Sequence, residues 1–260
     1  MSLYEKYNIT FKDYDEVRQP VGVEKIFDII VENKFKKIAD VGCGSGNYLK
    51  KLYQIASDEK YDLELMGMDG SKEMLTKIPE YISTKHLICT PDTKLNIEKV
   101  DMIIINQVIH HLTDEALINL FSECMNSLND NGILYINTCT YEQVLNGQWW
   151  SSYFPRSGIE KFANKADNAN NVLLKHYKYD YKIDIPEPLQ NNYFEYEKVF
   201  TQEFRNCDSM WSLLTNDELN ETLSNIKTDL NKNDMTKIHR SEEYRNKFGQ
   251  TTSYVFLKKN

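Results

Sequence analysis

No stretch of this chain approaches the roughly 18 consecutive apolar residues that a membrane-crossing helix requires, and its start, MSLYEKYNITFKDYDEV, has no apolar signal core. The expectation is a cytoplasmic protein with no membrane partner. Cysteine is sparse and unpaired: Cys43, Cys89, Cys124, Cys139 and Cys207 form no C-x-x-C pair, and their total of five is odd. That spacing argues for reduced thiols rather than a disulfide framework. Free cysteines in strands and helices are usually small buried hydrophobes. Positive charge is in deficit too. With 31 Lys and Arg against 39 Asp and Glu, the net charge of −8 speaks against a nucleic-acid footprint, which needs a basic face. Nucleic acid is not expected as a partner, and tRNA or rRNA is disfavoured as a substrate. Glycine and proline are scarce, at 10 and 6 in 260 residues. The length suits one large α/β domain, or one with a substantial insertion.

Three of the few glycines fall within five residues, inside KIADVGCGSGNYLKK (Lys37 to Lys51). Ile38, Ala39, Asp40 and Val41 read as a short buried strand, because parallel strands covered on both faces appear as continuous apolar runs. Gly42, Cys43, Gly44, Ser45 and Gly46 follow as a turn, where glycine can take positive φ and let a ligand approach the backbone. From Asn47 the apolar positions Tyr48, Leu49, Leu52 and Tyr53 have helical spacing, so the turn opens onto the free N–H groups of a helix N-terminus. The dinucleotide fingerprint G-x-G-x-x-G has a different interval. Asp40, two residues before the first glycine, would repel a phosphate and suits a cationic ligand.

The pattern Asp40-Val41-Gly42-Cys43-Gly44-Ser45-Gly46 resembles motif I of class I S-adenosylmethionine (SAM)-dependent methyltransferases. Upstream, Tyr14, Asp15, Arg18 and Pro20 resemble the YD-x-x-R-x-P lead-in of many small-molecule methyltransferases. The resemblance implies a segment folded over the cofactor, with Tyr14 and Arg18 near its methionine end. A guanidinium can pair bidentately with a carboxylate; a solvated arginine on a surface turn is the alternative. Downstream, Leu63 to Met68 read as a second strand ending at Asp69-Gly70-Ser71. An acidic residue there is where a ribose diol is held, although Asp69 or Ser71 could instead cap the helix that follows. After a weak third strand, Lys85 to Cys89, Asp92 fits the family's receiver of the adenine amino group and equally an Asx turn in Thr90-Pro91-Asp92-Thr93.

Val100 to Ile105 form a fourth strand, and Asn106-Gln107-Val108-Ile109-His110-His111-Leu112 after it resembles the family segment D-x-V-x-x-x-x-V-L-H-H-L, whose strand end abuts the reactive methyl. That implies cofactor contacts from Asn106 and Gln107. His110 or His111 could deprotonate an acceptor at neutral pH, or simply pack before the helix capped by Thr113; adjacent histidines should not both face one way. Ile133 to Asn137 supply a fifth strand. Five strands with intervening helices predict a parallel sheet with ligands at its carboxyl ends. The expected fold is a Rossmann-like three-layer α/β/α domain with a mostly parallel seven-stranded sheet, antiparallel at one edge, and a cap insertion. Its expected parts are an N-terminal lid (1–22), a core (23–140 and 193–260) and a cap (about 141–192). The cap opens on an aromatic run in which Trp149, Trp150, Tyr153 and Arg156 read as an acceptor wall. Tyr193 to Phe200 reads as the sixth strand and Thr251 to Lys258 as the seventh.

The resemblance implies methyl transfer from SAM to a small-molecule acceptor, leaving S-adenosylhomocysteine (SAH) as product. The sulfonium is itself the activated group, so no metal is required. A protein or tRNA methyltransferase and a non-catalytic SAM-binding partner subunit are the alternatives. The acceptor atom and the oligomeric state are not written in the sequence.

Overall fold

The structure, a computed structural model, describes residues 14–259. A seven-stranded sheet organises it, in the order β3-β2-β1-β4-β5-β7-β6, mostly parallel with one antiparallel edge. The strands are β1 (Lys37–Val41), β2 (Glu64–Asp69), β3 (Ser83–His86), β4 (Val100–Asn106), β5 (Leu128–Thr138), β6 (Tyr181–Ile185) and β7 (Thr251–Leu257). β1 pairs in parallel with both β2 and β4, which makes it central. Helices α1 (Val23–Glu32), α2 (Asn47–Asp58) and α3 (Asp114–Ser127) connect and cover the strands.

The chain divides into two compact units. Among the described residues, one comprises 22–138, 168–183 and 253–259; the other comprises 14–21, 139–167 and 184–252. In the first, side-chain alternation along the strands builds a core on each face of the sheet. Ala39, Val41, Ile103, Ile105, Leu134 and Ile136 point to one face, where Leu117, Leu120 and Phe121 of α3 cover them. Ile38, Met102, Ile104, Ile133 and Tyr135 point to the other, under Ile26 and Ile30 of α1 and Leu49 and Leu52 of α2. Thr113 caps α3, its hydroxyl accepting from the Ala116 N–H, as its sequence position suggests.

The second unit is helical. It contains α4 (Tyr141–Asn146), the first part of α5 (Arg156–His176), α6 (Asn216–Asn231) and α7 (Thr236–Phe248). Capping boxes start α4 at Thr140 with Gln143 and α6 at Thr215 with Glu218. The sixth strand is Tyr181–Ile185, not the alternating stretch from Tyr193 to Phe200. There the backbone closes on itself in consecutive tight turns: Tyr193 N–H donates to the Gln190 carbonyl, Glu195 to Asn192, Lys198 to Glu195 and Thr201 to Lys198. Local turns satisfy the groups that a ladder would otherwise need, and the alternation records only that Tyr193 and Val199 are buried while Phe194 is exposed.

Candidate functional site

Gly42, Gly44 and Gly46 have φ of 75°, 55° and 81°, the left-handed region that side chains rarely adopt. Space demands glycine as well as backbone angle: a Cβ on Gly42 would lie 2.3 Å from Cγ2 of Val108. The turn is tied to β2, because the Gly42 and Cys43 N–H groups both donate to the Met68 carbonyl, at 2.7 and 3.0 Å. Cys43 lies against Gly67, whose missing Cβ would be 2.8 Å from the Cys43 sulfur. Gly46 is the N-cap of α2 and has no side chain to satisfy that helix end, which leaves its first N–H groups facing the turn.

Asp69 ends β2. Its Oδ2 accepts from the Gly44 N–H at 2.8 Å and its Oδ1 from the Ser71 N–H at 2.7 Å. Capping of the short helix Lys72–Leu75 falls to Ser71, whose hydroxyl accepts from Met74 N–H, so Asp69 is not the cap. Each Asp69 oxygen retains a second lone pair for a ligand hydroxyl. Burial raises its pKa, against the lowering pull of the Ser71 and Gly44 N–H groups. Asp40 is 1% exposed, and its Oδ1 finds no hydrogen-bond partner among the described residues. Burial, and then the charge of Asp69, push its pKa up to about 8. Burial drives the Cys43 thiol far up as well, with Asp40 and Asp69 adding to the effect, so Cys43 is a packing thiol and not a nucleophile.

At the end of β4, both amide atoms of Asn106 are buried without a hydrogen-bond partner among the described residues. Gln107 takes a left-handed φ of 56°, and its backbone N–H and Nε2 donate to the carbonyl and Oδ1 of Asn137 at 2.9 and 2.8 Å. His110 is buried and His111 half-buried. Their rings are tilted at 45° to one another, 3.9 Å between centroids. Gly70 is exposed and has room for a Cβ, the nearest atom being the Leu87 carbonyl at 3.6 Å. Asp92 is also exposed. The turn around it is held by Thr93, whose hydroxyl accepts from Thr90 N–H and donates to the Ile88 carbonyl, so the Asx-turn role is not what Asp92 does.

The remaining sequence candidates belong to the helical unit. The side chain of Tyr14 lies outside the described residues. Arg18 is half-buried; burial raises the pKa of the Asp208 carboxyl, and the Arg18 charge opposes part of that rise. Trp149 and Trp150 are 1% and 0% exposed and pack into that unit's own core with Tyr193, Phe204 and Trp211. They are interior residues, not the surface aromatics that their interrupted sequence suggests. Tyr153 donates to Asp229 at 3.0 Å beneath the Lys237 ammonium. Arg156 pairs with Glu160 one turn along α5 at 2.5 Å and borders an open groove of about 710 Å³ with Ser152, Phe154, Arg240 and Tyr244. Sequence reading passed over the roles of Asn137 and Ser253, whose only signal is a polar residue near the end of one apolar strand and near the start of another.

Among the described residues no helix is long and apolar enough to cross a membrane, and no cluster of three or more His, Cys, Asp or Glu is arranged to hold a metal ion. None of the five cysteines is in a disulfide among the described residues.

Residues 39–134 match the model of a methyltransferase domain family. The carboxy-S-adenosyl-L-methionine synthase of Psychromonas ingrahamii is 26% identical over 125 residues, covering 45% of this chain and 50% of that protein; the chain thus matches only half of this curated relative. Among solved structures, a protein assigned as a methyltransferase of an antibiotic biosynthesis pathway in Anabaena variabilis superposes with a TM-score of 0.66 at 18% identity, covering 92% of this chain and 97% of that one. A plantazolicin methyltransferase in complex with SAH and a pentazolic substrate analogue superposes at 0.50 and 15% identity, covering 99% and 92%. At such identities the structural likenesses speak for the fold.

SAM is the cofactor this family implies, and the residues present fit it. A glycine cradle that a Cβ would fill, an unpaired buried carboxylate oxygen on Asp40 and an orphaned amide on Asn106 are the features such a ligand would satisfy. Residues 39–134 are thus similar to a methyltransferase domain, and the sheet has the fold of the solved methyltransferases it superposes on.

Proposed function

We propose that the protein transfers the methyl group of SAM to a small-molecule acceptor. One observation carries this reading: the three left-handed glycines are bound through Gly44 N–H to Asp69, beside a buried Asp40 with an unpaired oxygen. That combination offers backbone contact, a diol acceptor and a negative charge to one ligand that has a ribose and a cationic centre. When bound, SAM supplies an activated methyl on a positively charged sulfur. The protein's task is then to align the acceptor and keep water out. In this reading Asp69 accepts from the ribose hydroxyls, Asp40 favours the cationic end and Asn106 satisfies polar groups at the methionine end. The paired imidazoles of His110 and His111 are the groups of this segment that can take an acceptor's proton.

Calorimetric titration with SAM, SAH and NAD tests the cofactor half. Micromolar binding of NAD with none of SAM or SAH overturns it. For the acceptor half, turnover against a panel of small phenols, amines and carboxylates should release SAH. The curated relative suggests a second outcome, in which SAM is itself altered. Mass spectrometry of the cofactor after turnover separates SAH from a carboxylated SAM.

Asp69→Ala is expected to weaken SAH binding by about 1–3 kcal/mol, the usual cost of leaving buried hydrogen-bonding groups unpaired. Part of that loss passes through the glycine turn, because Gly44 N–H also loses its acceptor. Asp69→Asn, which keeps one acceptor oxygen, should lose less. Equal dissociation constants for wild type and Asp69→Ala would remove Asp69 from the site.

A further inference from the structure

Gln107 is unusual among residues at the carboxyl ends of the strands: it has a side chain and yet stands in the left-handed region, at φ 56°. For a residue with a Cβ this conformation is disfavoured and persists only where the surroundings impose it. Here the surroundings are specific. Asn106 and Asn137 are register partners at the ends of β4 and β5. One step beyond, Gln107 N–H donates to the Asn137 carbonyl at 2.9 Å. The Gln107 side-chain amide donates to Asn137 Oδ1 at 2.8 Å, and Asn137 Nδ2 donates to the Ser253 hydroxyl on β7 at 2.9 Å. Asn137 and Ser253 are 1% and 0% exposed. Three strands are therefore joined through one buried amide, and that amide grips the strained residue by backbone and side chain together.

The segment so held is the one that meets the glycine turn. Val108, next after Gln107, occupies the space that a Gly42 Cβ would need, 2.3 Å from Cγ2. Asn106, just before it, keeps both amide atoms buried without a hydrogen-bond partner among the described residues. Were Gln107 to relax to negative φ, the chain would leave β4 in a different direction. Val108 would lift from Gly42, and Asn106 would lose the environment that keeps its amide for a ligand.

We propose that Asn137 is a positioning residue for the cofactor: it clamps Gln107 in its left-handed conformation and so keeps Asn106–Val108 seated against the glycine turn. The inference rests on the SAM reading, and it assigns a role to a residue that need not touch SAM itself.

The test uses the full chain and SAH affinity by calorimetry, with thermal melting as a control for folding. Asn137→Ala should weaken SAH binding by roughly tenfold, about the weight of one buried hydrogen bond. Adding Gln107→Gly to Asn137→Ala should restore most of that loss, because glycine adopts the left-handed conformation with no clamp. A residue that only stabilised the sheet would show no such suppression. Should Asn137→Ala fail to fold, Ser253→Ala removes the bond that orients the amide. It should weaken SAH binding a few-fold, with recovery in Ser253→Thr. Unchanged SAH affinity in Asn137→Ala, or in Ser253→Ala where that variant stands in, overturns the clamp, as does a loss that Gln107→Gly leaves in place. Absence of SAH binding by the wild-type protein would instead remove the cofactor reading.

Discussion

Trp150→Ala is expected to lower the stability of the helical unit by about 3–5 kcal/mol, the range found when a fully buried large aromatic side chain is truncated. Trp150 is 0% exposed. Its ring stands edge-on to Trp149 and Phe204, at 5.4 Å from each, and lies stacked on Trp211 at 6.4 Å. Truncation leaves a void bounded by rigid rings, which cannot collapse into it as flexible aliphatic chains do. The indole N–H of Trp150 has no partner among the described residues, so Trp150→Phe removes an unsatisfied donor while keeping most of the stack. It should lose less than half as much. Urea unfolding followed by tryptophan fluorescence reads both variants. An unchanged midpoint in Trp150→Ala would return the residue to a surface role such as an acceptor wall.

Binding of SAM should be coupled to loss of a proton from Asp40. Its pKa stands at about 8 in the folded protein, raised by burial and by Asp69, against 3.8 as the ordinary value. Near pH 7 the carboxyl is mostly protonated, and a cation beside it favours the ionised form. Affinity for SAM should therefore rise with pH, by up to about tenfold per unit below the folded pKa, and level off above it. The uncharged thioether of SAH gives a weaker dependence. In the ligand-free protein the sign is opposite. A raised folded pKa means that the folded state binds more protons than the unfolded one between about pH 4 and 8. This group's stabilising contribution is thus fully present below that window and is lost as pH rises through 8. Asp40→Asn should abolish both dependences, leaving the background of other groups. Calorimetry in two buffers of different ionisation enthalpy counts the released proton directly, and equal enthalpies with a flat pH profile would exclude the coupling.

Those two residues also show what the sequence reveals and what it hides. Asp40 is legible because a charged residue between Ala39 and Val41 in an apolar strand, followed by three alternating glycines, has few physical readings. Four of the first five strands are legible for a related reason: a strand buried on both faces reads as a run such as Met102 to Ile105, and its flanking turns are marked by glycine, asparagine and aspartate. The exposed edge strand Ser83–His86 carries no such run, and the residues expected to form it, Lys85 to Cys89, begin two residues later. Trp149 and Trp150 are not legible as core, since they lie in a 3-10 turn (Trp149–Tyr153) whose inward face follows neither the period of a helix nor that of a strand. Their partners, Tyr193, Phe204 and Trp211, are 40 or more positions away. The turns after Asn192 mislead in the opposite sense, because burial that alternates in a chain of tight turns imitates a strand. The pairing of His110 with His111 and the grip of Asn137 on Gln107 are written in backbone angles, which composition does not encode.

The helical unit is assembled from three separate stretches of chain, and its first stretch is fastened by its last. Asn191 donates from its backbone to the Val17 carbonyl and from its side chain to the Glu16 carbonyl, 175 positions away in sequence, while Gln19 N–H donates to the Leu189 carbonyl. On a ribosome this gives the two units different schedules. The pairings among β1 to β5 can form once residue 138 has emerged, although the outer edge of β5 still awaits β7. Residues 14–19 must wait for some 170 further residues before their own partners exist, and closing so long a loop is slow. Late closure of this kind leaves the N-terminal stretch open to proteases during synthesis, after the pairings of β1 to β5 can already form.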